Sequence, residues 1–64
     1  MWTVIHLVSD RDKANQIYNK LTAEGFLVKV QPLNKKDDNR YFQILVPGSE
    51  AQEAYDSLVE LGLS

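Results

Sequence analysis

His6 is the one histidine in this 64-residue chain, and it stands between Ile5 and Leu7 in an uncharged apolar run. A catalytic histidine needs an acceptor to orient its ring and a cleft to hold substrate, and its neighbours in sequence supply neither. It reads as a half-exposed sheet residue. The chain has no cysteine, which removes a thiolate nucleophile, a disulfide and any Cys-containing metal centre. Of the four serines, Ser9 and Ser49 fall where helices should start and Ser64 at the C-terminus, places that suit caps and a chain end rather than a nucleophile. Asp37, Asp38 and Asn39 lack the alternate-residue spacing and distal glutamate of a calcium loop. Asp10 and Asp12 suit a helix N-terminus, where carboxylates answer the macrodipole. Pro47-Gly48-Ser49 could aim backbone N–H groups at an anion, but Glu50 follows directly and would repel it, and no phosphate-binding glycine pattern is present. The chemistry-bearing residues thus point to a protein that is not an enzyme, with no cofactor and no metal.

Composition narrows the remaining classes. A domain this short buries only about 60% of its unfolded surface, so its stability is thin. A net charge of −2, with Lys and Arg scattered, disfavours a partner held through phosphates. The run Lys35-Lys36-Asp37-Asp38 cancels itself. No stretch approaches the length of a membrane span, and Met1 to Ser9 is too short for a secretory leader, so a cytoplasmic location without membrane contact is expected.

The elements that would position these residues follow from spacing. Trp2 to Val8 is rich in β-branched and aromatic residues and predicts strand β1. Ser9-Asp10-Arg11-Asp12 then offers a capping hydroxyl and acidic groups before Ala14, Ile17, Tyr18 and Leu21, one apolar helical face, and Gly25 supplies a left-handed stop. Phe26, Val28 and Val30 alternate with Leu27, Lys29 and Gln31 as β2, and Pro32 favours an edge position. Asn34 to Asn39 reads as a hairpin loop, and Tyr41 to Val46 as β3. Ser49 with Gln52 suggests a capping box for a second helix whose apolar face is Ala51, Ala54, Tyr55, Leu58 and Leu61, closed by Gly62.

A shift of 37 positions aligns Ala14 with Ala51, Tyr18 with Tyr55, Leu21 with Leu58 and Gly25 with Gly62, and also Ile5 with Phe42 and Leu7 with Ile44. Helical period alone accounts for part of this. A genuine repeat would mean two related β-α-β units, as in ferredoxin-like folds. The expected architecture is α+β, β-α-β-β-α, a three-stranded antiparallel sheet of order 1-3-2 with two helices on one face, as a single domain over 1–64. The second unit stops at Leu63 and Ser64, where a fourth strand should begin, leaving β1 as an edge. That edge carries no charge, proline or glycine, so it is expected to pair with β1 of a second copy in a six-stranded sheet.

Strict alternation places Ile5, Leu7, Val28, Val30, Phe42 and Ile44 under the helices. Trp2, Val4, His6, Val8, Leu27, Lys29, Gln31, Tyr41, Gln43 and Leu45 then lie on the open face, although Val4 and Val8 could pack inward instead of Ile5 and Leu7. Of these, Trp2, Val4, His6, Val8, Tyr41, Gln43 and Leu45 form the candidate interaction face. Single strands of nucleic acid could stack on Trp2 and Tyr41, but Arg40-Tyr41-Phe42-Gln43-Ile44-Leu45 lacks the glycine that RNA-recognition strands carry after their first basic residue.

Met1-Trp2-Thr3-Val4, the strand Gly25-Phe26-Leu27-Val28-Lys29-Val30 and the junction Ile44-Leu45-Val46-Pro47-Gly48-Ser49-Glu50-Ala51 give a resemblance that covers nearly the whole chain. It resembles small bacterial proteins known as prokaryotic signal-transducing proteins, grouped by fold with PII-type regulators. The resemblance implies a ferredoxin-like sheet with Asn34 to Asn39 where PII proteins carry a long effector loop. It carries over neither nucleotide binding nor catalytic residues. The leading expectation is a non-enzymatic interaction or regulatory module that forms a homodimer through β1. The alternative is a sensor that binds a metabolite at a dimer seam, which rests on fold analogy.

Overall fold

The computed structural model describes residues 1–33 and 41–64. Strand β1 (Trp2–Val8) leads through helix α1 (Arg11–Ala23) to β2 (Lys29–Pro32) and β3 (Phe42–Pro47). A 3₁₀ turn at Gly48–Glu50 runs directly into helix α2 (Ala51–Glu60). The sheet is antiparallel with order 1-3-2, as expected. The expected hairpin loop at Asn34 to Asn39 lies outside the described residues. Its two flanks are joined by a bond from the Leu33 N–H to the Tyr41 carbonyl, 2.9 Å.

Both helices cover one face of the sheet, where Ala14, Ile17, Leu21 and Leu58 close over Val8, Phe42, Ile44 and Leu63 in the core. Ile5, Phe26, Val28 and Val30 pack around its margin. The Arg11 guanidinium lies 5.1 Å from the centroid of the Phe42 ring, capping the end of this core where α1 begins.

Strand β1 departs from strict alternation. Val4 stands opposite Leu45 and His6 opposite Ile44, so Ile5 is an extra residue in the ladder, a β-bulge. The bulge reverses the phase of everything after it. Ile5 and Val8 both pack inward, while Val4 and Leu7 both point outward, a combination that unbroken alternation forbids. Val8 is 6% exposed and Leu7 51% exposed, which corrects the sequence assignment of both. The physical reason lies in Ile5-His6-Leu7-Val8, where two β-branched residues three apart reach the same side only if one residue is inserted between them.

The helix ends are local devices. α1 is capped by Asp10 rather than Ser9, its Oδ1 accepting the Asp12 N–H at 3.0 Å. The capping box expected from Ser49 and Gln52 does not form. The 3₁₀ turn carries the chain into α2 without a side-chain cap, and the Gly48 N–H donates instead to the Met1 carbonyl at 2.7 Å. Tyr18, Tyr55 and Leu61, expected on the buried helix faces, are exposed at their margins. β2 begins at Lys29 rather than Phe26.

Both helices end in the same pair of backbone bonds. Gly25 N–H donates to the Thr22 carbonyl and Phe26 N–H to that of Leu21, while Gly62 donates to Val59 and Leu63 to Leu58. Gly25 and Gly62 have φ of 97° and 73°, the left-handed conformation of a Schellman motif. Every member of one motif matches the other at a spacing of 37, and Leu21 and Leu58 are both fully buried while Tyr18 and Tyr55 are both exposed. The repeat seen in the sequence is therefore a repeat of structure over the helices' C-terminal halves, whereas in the strands Leu7, turned outward by the bulge, does not match the buried Ile44.

Candidate interaction face

The face away from the helices is built from residues that the pleat turns outward on three strands. Register places Val4 beside Leu45 and Lys29 beside Leu45 from the other side, with Leu7 beside Gln43 and Gln31 beside Gln43. Trp2, Val4 and Leu7 thus form the β1 row, and Lys29 and Gln31 the β2 row, which Leu27, ahead of the strand, extends by continuation of the alternation. Tyr41, Gln43 and Leu45 make the central row, Tyr41 by continuation of the β3 alternation.

Two strands away from each other, Trp2 and Lys29 meet across the centre. The Lys29 ammonium is 5.0 Å from the Trp2 ring centroid, a cation–π contact that crosses the β3 row at Leu45. Leu45 is only 8% exposed even though its face is open, because its neighbours lean over it. Around this roof Trp2, Val4, Leu7, Leu27 and Tyr41 remain exposed.

Of the residues proposed from sequence, the structure gathers Trp2, Val4, Gln43 and Leu45 at one end and the middle of this face. Tyr41 stands at the opposite end. Trp2 is paired with Pro47 and Val8 with Phe42, so about 20 Å of strand separates the two aromatics. Adjacent bases cannot stack on both. Val8 leaves the face for the core, and His6, opposite Ile44, is half-buried on the helix side. Leu7 joins the face unforeseen. The signal for it was present in the pair Ile5 and Val8, which cannot both face the core along a regular strand.

His6 lines an open cavity of about 230 Å³ beside the outer edge of β1, together with Val8, Ser9, Asp10, Lys13 and Leu63. This is below the roughly 300 Å³ at which small-molecule pockets begin. Among the described residues no side chain is hydrogen-bonded to His6, and none group as three or more metal-ligating side chains. No helix among them is long and apolar enough to cross a membrane. Away from this cavity, Glu50 accepts the Leu27 N–H at 3.2 Å and fastens the β2 approach to the start of α2.

No family model matches the chain, and neither a curated protein nor a solved structure matches it.

Proposed function

We propose that this chain is a non-enzymatic interaction module that associates with a second copy of itself through the open sheet face and the adjoining edge of β1. The observation that carries the reading is the exposure of Trp2, Val4, Leu7, Leu27 and Tyr41 on one side of a small sheet whose only charged strand residue there is Lys29. Contiguous apolar surface of this kind marks an interaction site on a soluble domain. A regulatory role and a cytoplasmic location belong to the proposal as well, the first resting on the resemblance to signal-transducing proteins alone.

Trp2 is the chain's single tryptophan and stands on the face concerned, so its emission reports directly on burial there. Raising the concentration from micromolar to millimolar is expected to shift that emission to the blue while the sedimentation-equilibrium mass rises from 7.3 kDa towards twice that value. A constant mass with unchanged emission across the range overturns the reading.

A further inference from the structure

The 37-residue structural repeat assigns a position to one more strand. β2 lies along β3 from Phe42 to Leu45, where Lys29 faces Leu45 and Pro32 faces Phe42. With the two helix stops 37 residues apart, β1 is to α2 what β3 is to α1, so the place that β2 takes beside β3 has its counterpart along the outer edge of β1, although the bulge at Ile5 breaks the residue-by-residue match. Among the described residues no strand lies there, and β1 is paired on one side only. Independently, the cavity at His6, Val8, Lys13 and Leu63 opens beside that same stretch. Its counterpart in the first unit is the ground filled by Phe26, Val28 and Val30, which pack along the core margin after α1. The cavity is therefore the seat of side chains from a strand added to β1.

We infer that the occupant is the His6–Val8 half of β1 from a second copy, running antiparallel about a two-fold axis at Leu7. This rests on the self-association proposed above and names the segment through which it occurs. Three observations select it. The bulge at Ile5 interrupts the ladder in mid-strand, so a continuous seven-residue pairing is unavailable and only the half beside the cavity has a seat. A strand set against its own copy brings like residues near one another, which charged residues oppose, and β1 has none. The axis at Leu7 also sets two outward, half-exposed leucines directly opposite each other, burying both. The half-buried His6 of the incoming strand then faces the cavity side, Val8 staying in its own copy's core, and the two open faces become continuous. A ladder of this length falls short of the roughly 800 Å² per partner typical of stable complexes, so the dimer is weak and reversible.

Because the chain has no cysteine, single replacements map the pairing. Leu7 and Val4 both point outward, so Leu7→Cys and Val4→Cys leave the core intact. With the axis at Leu7, the two copies of position 7 are direct cross-strand neighbours, whereas those of position 4 are about 20 Å apart. A short bis-maleimide should therefore link L7C on the order of tenfold faster than V4C, given that separation. If V4C links as fast or faster, or if neither links while the wild-type mass still doubles, the seat is overturned and the association runs through the open face instead. A wild-type monomer with no linking in either variant overturns both the seat and the association.

Discussion

At the scale of single residues, the decisive pair is Leu7 and Val8. They are adjacent and similar in chemistry, yet one is half in solvent and the other in the core. Replacing each by glutamine separates them. Leu7→Gln is expected to leave stability within about 0.5 kcal/mol, as surface substitutions do. Val8→Gln buries an amide without partners and is expected to cost about 2 kcal/mol or more. Urea denaturation of the two variants measures the difference, and equal losses would mean that β1 runs without a bulge. His6 shares the consequence of that insertion. Its place on the helix side, beside the cavity rather than on the open face, follows from the extra residue immediately before it.

At the scale of elements, the two helices test whether the repeat is energetic as well as geometric. Gly25 and Gly62 occupy equivalent left-handed positions, and a Cβ built on either meets nothing within 4 Å. The cost of alanine there is consequently one of backbone strain, about 1 kcal/mol per site. In a domain of this size such a loss lowers Tm by roughly 4–8 °C, which differential scanning calorimetry resolves. Gly25→Ala and Gly62→Ala should shift Tm alike if both motifs anchor their helices equally. A shift for Gly25→Ala alone would show that the second motif frays. The helix starts do not share this symmetry. α1 has the Asp10 carboxylate, whereas α2 follows a 3₁₀ turn held through Gly48 to the chain's first residue.

For the molecule as a whole, smallness sets the terms. A 64-residue domain has a total stability of roughly 3–10 kcal/mol at the usual per-residue values. Leu58 is fully buried between α2 and the sheet, and truncating such a leucine costs about 2–5 kcal/mol. Leu58→Ala is therefore expected to leave a substantial unfolded fraction at 25 °C, seen as lost far-ultraviolet dichroism, which a self-associating chain would regain as its concentration rises. Recovery with concentration ties folding to association, and a concentration-independent unfolded fraction would uncouple them.

The order of elements, the edge position of β2 and the glycine helix stops were legible in the sequence because each depends on neighbours a few residues away: alternation over Phe42 to Val46, the helical spacing of Ile17 and Leu21, the missing Cβ of Gly25. The repeat was legible too, since its matched leucines and glycines are local signals written twice. Which face β1 buries was a different matter. Ile5, Leu7 and Val8 are all apolar, so composition permits several registers, and the choice fell to a core in which Ile5 and Val8 must both meet helix side chains while Phe42 and Ile44 fix the opposite strand. The burial of Leu45 on an otherwise open face came likewise from Trp2 and Lys29, brought over it from two flanking strands. Local propensity determined the elements, and only packing between distant segments decided the phase of β1 and what its surface offers to a partner.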